Sequence, residues 1–155
     1  MEARIATPGD FEELIRMGAV MLSSMGIEPD VDTWHDRAVE VLRAELASGT
    51  AAAFVVDAPD QPGQLIASGV VLVHQRLPTA ENPDGRVGHV QWVATERAHR
   101  RKGLATVIMR AIIDWLCDRE IEAVELYAST EGAPLYASLG FVTPERAWLR
   151  LRLAP

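Results

Sequence analysis

Cysteine and lysine are almost missing from the sequence, and it contains no long apolar run. The single cysteine, Cys117, excludes an internal disulfide and favours a reducing compartment such as the cytoplasm. No stretch approaches the roughly 20 consecutive apolar residues that span a membrane, and the first residues lack the apolar stretch of a signal peptide. Lys102 is the only lysine, whereas arginine and alanine are abundant, as in proteins of GC-rich bacteria. We therefore expect a cytoplasmic, bacterial protein without a membrane-embedded segment.

The charge balance is also one-sided, because acidic residues outnumber basic ones and give a formal net charge of −7. Nucleic acids and anionic membranes repel such a surface, so neither is an expected partner. A cationic partner such as an amine is electrostatically more favourable. The 155 residues suffice for one domain with a hydrophobic core. Because no repeat or low-complexity tract interrupts the chain, we treat residues 1–155 as a single domain.

Apolar periodicity predicts strands and helices in alternation, which indicates a mixed α/β fold. The first predicted strand ends at Ile5-Ala6, and the other predicted strands cover 52–56, 65–74, 90–95, 124–128 and 148–153. The first predicted helix begins after Asp10, and the other predicted helices cover 31–46, 103–118 and 134–139. A strand, a crossover helix and a further strand in the middle of the chain imply at least one parallel pair. Cys117, near the end of the third long helix, is predicted to pack in the interior.

The most informative segment is a basic turn between the fourth predicted strand and the following helix. Five basic side chains crowd into this turn although the chain as a whole is acidic: Arg97, His99, Arg100, Arg101 and Lys102. The helix begins at Gly103, where free backbone amides and the helix dipole favour a bound anion. Residues 100–105 fit the pattern Arg/Gln-x-x-Gly-x-Gly/Ala, in which small residues let a pyrophosphate approach the amides. The spacing predicts a phosphate site, with a solvated charge run as the alternative.

A second motif lies downstream, where Tyr136 to Phe141 form the pattern Tyr-x-x-x-Gly-Phe. Together with the basic turn at this distance, it resembles the GNAT superfamily of acyl-CoA-dependent N-acyltransferases, whose order of elements the chain follows from residues 4–10 onward. The resemblance implies the GNAT fold, a mostly antiparallel mixed sheet with a central, splayed parallel pair of strands, flanked by helices. One departure is the family's frequent asparagine after the fifth strand, where this chain has Ser129-Thr130-Glu131-Gly132.

The resemblance also implies acetyl-CoA as the co-substrate and assigns residues to it. The main chain of Val93 and Thr95 is expected to hydrogen-bond the pantetheine arm as an added strand would. A bulge near Trp92 would aim the Val93 amide at the thioester oxygen, where that amide stabilises the developing oxyanion. The pyrophosphate is assigned to the basic turn and the first turn of its helix, that is, to Arg100, Arg101, Lys102, Gly103, Leu104, Ala105 and Thr106.

Two side chains are the candidates for proton transfer. By resemblance, Tyr136 lies near the sulfur, where a phenol with a pKa of about 10 suits protonation of a departing thiolate; a tyrosine that merely packs on its helix is the alternative. His89 stands eleven residues before the basic motif, where some relatives place a carboxylate base. A histidine titrates in the useful range; the other interpretation has ordered water as the base and a structural His89.

The acceptor is expected against the first two helices and the loop before the fourth strand. The resemblance offers five side chains there, for each of which ordinary core packing is the alternative: Met21, Met25, Trp34, His35 and His74. The four histidines of the chain lack the spacing of a zinc set, so no metal is predicted.

The resemblance thus implies an N-acetyltransferase that transfers an acetyl group from acetyl-CoA to a primary amine of a small molecule. Direct attack of the amine is expected, because no activated serine or cysteine for an acyl-enzyme is evident. Acetylation of a protein N-terminus or lysine is the enzymatic alternative, and a non-catalytic, CoA-binding regulatory module is the alternative from another class. The family further implies a homodimer, with the strand-forming C-terminus as a contact.

Overall fold

The computed structural model describes residues 1–154, and its elements follow the predicted order along the chain. The strands are β1 (Arg4–Ile5), β2 (Ala51–Asp57), β3 (Leu65–Gln75), β4 (Arg86–Thr95) and β5 (Val124–Glu125); the helices are α1 (Phe11–Ser24), α2 (His35–Ser48), α3 (Leu104–Asp118) and α4 (Ala133–Ser138). The predicted mixed α/β class is confirmed. None of the helices within residues 1–154 has the length and apolar character that a membrane crossing requires.

The five strands form one sheet in the order β1-β2-β3-β4-β5. All neighbours are antiparallel except β4 and β5, which are parallel and are joined through the crossover helix α3. Because successive strand residues face opposite sides, Val71 packs in the core beside α3, whereas Val70 packs in the core beside α1 and α2. Helices therefore cover both faces of the sheet, and the predicted parallel pair is confirmed.

A bulge interrupts the β3–β4 ladder at Trp92. Ser68 pairs with Ala94 and Val70 pairs with Gln91, so β4 uses one more residue than β3 over this stretch. Trp92 adopts a positive φ of 55°, and the hydroxyl of the buried Ser68 donates a hydrogen bond to the Trp92 carbonyl at 3.3 Å. Because a bulge bends its strand and increases the local twist, β4 changes direction here, as expected.

β4 and β5 pair over two residues only. Gly88 pairs with Val124 and His89 pairs with Glu125, and the ladder stops there. β5 is therefore shorter than the predicted strand at 124–128. Beyond this point the sheet is open between β4 and the chain that follows β5, which is the splayed parallel pair that the family fold implies.

The predicted last strand at 148–153 is wrong. Residues 141–154, here called the C-terminal arm, form no helix or strand in the described part of the chain. A strand needs a neighbour to complete its ladder of hydrogen bonds, and an alternating sequence alone does not supply one. The leucines and arginines of this alternating segment are all exposed, with Leu149, Leu151 and Leu153 at 79 to 86%, and Arg150 also lines a cleft.

The predicted burial of Cys117 is also wrong, because this residue is exposed. α3 buries Leu104, Ile108, Ile112 and Leu116 at helical spacing. At about 100° per residue, Cys117 lies roughly 140° around the helix from Ile112, which turns its side chain away from the sheet.

Candidate active site

The basic turn connects β4 to α3 through a short 3-10 helix, Arg97–His99. Arg101 and Gly103 both adopt positive φ angles, 63° and 80°. Such left-handed residues turn successive backbone amides toward one point, and the first amides of an α-helix have no acceptor within the helix. A Cβ atom placed on Gly103 would meet no atom within 4 Å. The amides are therefore reachable from outside, and the turn has the geometry of an anion site.

A cleft of about 290 Å³, here called the basic cleft, extends from this turn along the end of β4. Eight of the nine residues assigned to acetyl-CoA line it, namely Val93, Thr95, Arg100, Arg101, Gly103, Leu104, Ala105 and Thr106. The ninth, Lys102, is exposed and lies outside the lining. The facing wall includes Ser129 and Tyr136, which follow β5 in the chain. The structure thus brings the basic turn and the tyrosine motif to one cleft.

The edge of β4 presents backbone groups to the basic cleft. The Glu96 amide donates a hydrogen bond to the Ile66 carbonyl of β3 at 2.9 Å. Because the hydrogen-bonding direction alternates along an antiparallel strand, the polar groups of Thr95 and Val93 point away from β3 and toward the opening beside β5. The Thr95 carbonyl accepts a hydrogen bond from Arg100 Nε at 3.2 Å, so this arginine ties the basic turn to the strand edge.

A second cleft of about 370 Å³, here called the histidine cleft, lies between α1, β4 and the chain after β5. Its lining includes side chains that the basic cleft lacks, among them His89, Gln91, Tyr127 and Arg150. Five residues line both clefts, namely Met21, Ser24, Val93, Ser129 and Tyr136. The two clefts therefore share a boundary that includes Val93 and Tyr136.

Tyr136 is held at this junction by small and aromatic neighbours. Its ring packs edge to face against Phe141, with 5.8 Å between the ring centroids. A Cβ atom on Gly132 would lie 3.1 Å from the Tyr136 ring, so glycine makes room for the phenol. Burial raises the pKa of the Tyr136 phenol above its ordinary value. The hydroxyl is therefore protonated at neutral pH and able to donate a proton.

His89 is 8% exposed and lies on β4 at the wall of the histidine cleft. Its Nδ1 atom is 3.9 Å from a carboxylate oxygen of Glu125, and its ring packs edge to face on Tyr127 at 5.2 Å. Burial lowers the pKa of His89, and the nearby Glu125 carboxylate opposes that effect. The imidazole is therefore neutral at pH 7, which is the form that accepts a proton.

The five acceptor candidates occupy different places. Met21 and Met25 line the histidine cleft, and Trp34 lines an adjacent apolar cavity between α2 and the sheet. His74 is exposed on β3, with its ring centroid 6.1 Å from that of His89. The predicted acceptor residues are therefore divided between the histidine cleft, the apolar cavity and the surface beside them.

His35, the fifth candidate, lines none of the clefts described. Its ring nitrogens make hydrogen bonds at 2.9 Å with Glu12 of α1 and with Asp36. Hydrogen bonds to Glu12 and then to Asp36 raise the pKa of His35, and the contact with Glu12 connects α2 to α1. Within residues 1–154, no group of three or more His, Cys, Asp and Glu side chains is placed to hold a metal ion.

Sequence reasoning missed four residues of the site. The alternation along β4 could have indicated Gln91, which follows His89 on the same strand face, and Gly132 stands one helical turn before Tyr136. Tyr127 and Arg150 carry no such signal, because they reach the histidine cleft from the chain after β5 and from the C-terminal arm. Their positions follow from tertiary structure alone.

Residues 20–141 match the sequence model of the Acetyltransferase (GNAT) family. The chain belongs to this family. It is therefore a member of a family of acyltransferase enzymes, and the GNAT resemblance of its two motifs is confirmed. The basic turn and the tyrosine motif both lie inside or at the end of the matched segment.

Two comparisons locate the chain within the GNAT family. It is 34% identical over 99 residues to glucosamine 6-phosphate N-acetyltransferase 1 of Oryza sativa subsp. japonica. That alignment covers 63% of this chain and 58% of the rice protein, so the chain spans little more than half of this curated relative. A predicted acetyltransferase from Clostridium acetobutylicum, solved with acetyl-CoA, is 26% identical with a TM-score of 0.88 over 97% of this chain and 95% of the other.

A GCN5-related N-acetyltransferase from Ralstonia eutropha JMP134 has the same fold. Its TM-score is 0.83 at 22% identity, over 97% of each chain. The five-stranded mixed sheet with one parallel pair and flanking helices is therefore the GNAT fold.

Proposed function

We propose that the protein is an N-acetyltransferase that transfers an acetyl group from acetyl-CoA to a primary amine of a small molecule. One observation carries this proposal: the basic cleft and the histidine cleft share a boundary whose lining includes Val93 and Tyr136. A transferase needs a place where a donor and an acceptor touch, with groups that stabilise charge and move protons at the contact. Val93 and Tyr136 are such groups.

The basic cleft suits coenzyme A on its own geometry. The left-handed Arg101 and Gly103 direct amides toward a position where the absence of a Cβ leaves open space. Val93 and Thr95 lie on an edge of β4 that β5 does not reach, and this edge suits an extended arm, as in strand addition. The solved Clostridium acetobutylicum relative contains acetyl-CoA. In our proposal, Lys102 contributes long-range positive charge at the entrance to the cleft rather than a direct contact, since it is exposed outside the lining.

The chemistry follows as direct transfer. The neutral amine forms a bond to the acetyl carbon, and the Val93 amide donates a hydrogen bond to the oxygen on which negative charge develops. The bond between carbon and sulfur then breaks, and the Tyr136 phenol gives its proton to the departing sulfur. The proton lost by the amine goes to His89 or to water. No acyl-enzyme is needed, and Cys117 lies exposed near the end of α3, outside the lining of both clefts.

A small acceptor fits the histidine cleft better than a protein substrate. Its volume of about 370 Å³ lies within the range of small-molecule pockets, roughly 300 to 1,000 Å³. The rice relative is named for a small amino sugar phosphate. We place the reaction in the cytoplasm, because acetyl-CoA is available there and the single cysteine needs no oxidising compartment.

Release of free CoA thiol tests the proposal. Acetyl-CoA is incubated with the protein and a panel of small amines, and thiol release is compared with the N-acetyl product measured by mass spectrometry. We expect equal amounts of thiol and product for at least one amine. Binding of acetyl-CoA without thiol release for any amine or lysine peptide would instead identify a regulatory CoA-binding module. Transfer to peptides alone would identify a protein acetyltransferase.

We also propose that the protein is a homodimer through the C-terminal arm. Leu149, Leu151 and Leu153 form an exposed row while Arg150 faces the histidine cleft. Covering each leucine would stabilise the assembly by about 1.5–3 kcal/mol before association costs. The arm also carries strand alternation without a neighbouring strand. A second copy with the same arm is a self-complementary partner, as in two-fold symmetric dimers.

Sedimentation analysis measures this association. We expect a dimer for the wild type, a monomer for Leu151→Glu, and a dimer for Leu77→Glu, which alters an equally exposed leucine (89%) in the β3–β4 loop. A wild-type protein that stays monomeric at high micromolar concentration would contradict the dimer without affecting the proposed chemistry.

A further inference from the structure

An apolar cavity of about 250 Å³ lies between α2 and strands β2, β3 and β4. Its walls are almost entirely aliphatic or aromatic, and they include Trp34, Ala38, Leu42, Val70, Leu72 and Trp92. The fold places it on the face of the sheet that α1 and α2 cover, away from α3. An engineered apolar cavity of about 150 Å³ is large enough to bind benzene. The volume here therefore accommodates a phenyl ring together with a short aliphatic chain.

This cavity adjoins the histidine cleft. Gln91 and Trp92 line both spaces, and the next residue in the chain is Val93, which lines both the histidine cleft and the basic cleft. Consecutive Cα atoms are about 3.8 Å apart, so the mouth of the cavity lies beside the proposed position of the acetyl group. An acceptor whose amine reaches Val93 therefore has the cavity within reach of its other end.

Trp92 forms a fixed wall between the two spaces. Its indole packs edge to face on Trp34 with 5.6 Å between centroids, and a Cβ atom on Gly18 would lie only 3.1 to 3.3 Å from the Trp92 ring. The bulge at Trp92 fixes the backbone as well. A wall braced on three sides keeps its shape, as a preorganised pocket requires.

The charged residues at the rim already have partners. Arg37 pairs with Glu40 at 2.9 Å, and the Glu45 carboxylate accepts a hydrogen bond from the Thr50 hydroxyl. Gln91 adds a neutral amide at the mouth. In the histidine cleft, Arg150 contributes a positive charge. A second cationic group on the acceptor would be repelled by Arg150 and would lose its hydration against the aliphatic wall of the cavity.

We infer that the apolar cavity is the subsite for the body of the acceptor, which is a monoamine with an apolar group of about the size of phenylethyl. This inference rests on the proposed N-acetyltransferase function and names its substrate class. Arylalkylamines and aromatic amino acids share this chemistry. A hydroxylated or polycationic amine does not, because it would bury unpaired polar groups against the aliphatic wall.

The test compares 2-phenylethylamine, phenylalanine, ethanolamine and putrescine as acceptors. We expect kcat/KM for the better aromatic amine to exceed that for ethanolamine and for putrescine by about tenfold or more. Ala38→Leu fills the cavity and should abolish that preference while ethanolamine turnover persists. Ala44→Leu adds the same bulk to an exposed position of α2 and should retain the preference. Leu72→Ala, which enlarges the cavity, is the second variant and should favour longer alkyl chains.

Calorimetric measurement of 2-phenylethylamine binding in the presence of CoA distinguishes failure of the apolar subsite from failure of the proposed N-acetyltransferase function. Turnover of polar amines without aromatic binding would overturn the apolar subsite and leave the transferase intact. Aromatic binding that Ala38→Leu abolishes, without thiol release from any amine, would support the subsite and overturn transfer. Equal use of all four amines, or an aromatic preference unchanged in Ala38→Leu, would also overturn the subsite.

Discussion

The basic cleft and the histidine cleft share a boundary but are built in opposite ways. Most of the basic cleft comes from one continuous stretch, residues 93–106, and offers mainly backbone groups on a strand edge and a helix start. The histidine cleft gathers side chains from α1, β4, the chain after β5 and the C-terminal arm. The backbone groups of the basic cleft suit a single donor molecule, as proposed. The shape and polarity of the histidine cleft, in contrast, change with each side chain that lines it.

This difference explains which half of the function is visible in a sequence. A backbone site needs small residues and turns at fixed spacing, so it leaves a local pattern. A site built from side chains needs only that residues distant in sequence come together in the fold, and this leaves no fixed spacing in the sequence. Substitutions that damage one cleft and leave the other intact therefore test this difference most directly.

The largest effect is expected at the boundary itself. Tyr136→Phe removes the proposed proton donor but keeps the ring that packs on Phe141. We expect kcat to fall about 100-fold or more, in the range of general acid catalysis, while the Kd of acetyl-CoA stays within about twofold because the basic turn, the proposed phosphate site, is untouched. Steady-state kinetics and calorimetry measure the two quantities. Unchanged turnover in this variant would remove Tyr136 from the mechanism.

A smaller loss is expected when only the basic cleft is damaged. Gly103→Val places a branched side chain at a φ of 80° and into the open space over the amides. The added side chain occupies the space from which a phosphate would reach the amides, and loss of one hydrogen bond to a charged group costs about 1.5–3 kcal/mol, so we expect the Kd of acetyl-CoA to rise about 10- to 100-fold.

Gly63→Val is the matched control, because Gly63 has a φ of 83° with equally open surroundings in the β2–β3 loop. Both variants should lower the melting temperature similarly, and only Gly103→Val should weaken acetyl-CoA binding. Equal binding by the two variants would mean that the phosphate does not lie over Gly103.

The same contrast describes how far the sequence predicts the structure. Apolar periodicity located every strand and α-helix up to Leu139 within a few residues, because an element that buries one face repeats its apolar residues at a fixed spacing. The 3-10 helix Arg97–His99 was not predicted. The prediction of a strand at 148–153 was wrong because a strand forms only where a neighbouring strand pairs with it, which the alternation of one segment does not show. The predicted burial of Cys117 was wrong because this residue lies beside the apolar stripe of its helix and not within it, so its side chain is exposed. The position of Arg150 at the histidine cleft could not be predicted, because it is brought there by the C-terminal arm, which has no helix or strand.

The role of His89 gives a smaller and pH-dependent effect. Because burial lowers the pKa of His89, the neutral base form persists below the usual histidine range and is lost only as the pH falls through that lowered pKa. We expect kcat/KM of the wild type to decline on the acidic side of pH 6.5. His89→Gln should lose this limb and about tenfold in rate at pH 7. An identical pH profile in the variant would assign proton removal to water.

The smallest effect should appear when the wall of the histidine cleft is displaced by a few tenths of an ångström. Gly18→Ala adds a methyl group 3.1 to 3.3 Å from the Trp92 ring, which must shift to accommodate it. The higher helix propensity of alanine over glycine offsets part of the stability cost of this crowding. We expect the acceptor KM to rise about two- to fivefold, since small misplacements near a reacting centre reduce productive binding.

Acetyl-CoA affinity should be unchanged in Gly18→Ala, because the contact lies on Trp92 and not on the strand edge beyond it. Gly9→Ala adds the same methyl 3.6 Å from its nearest neighbour, an ordinary van der Waals distance, and should leave both constants as they are. A change in donor affinity without a change in acceptor KM would show that Trp92 supports the basic cleft. The boundary between the two clefts would then lie one residue earlier in β4.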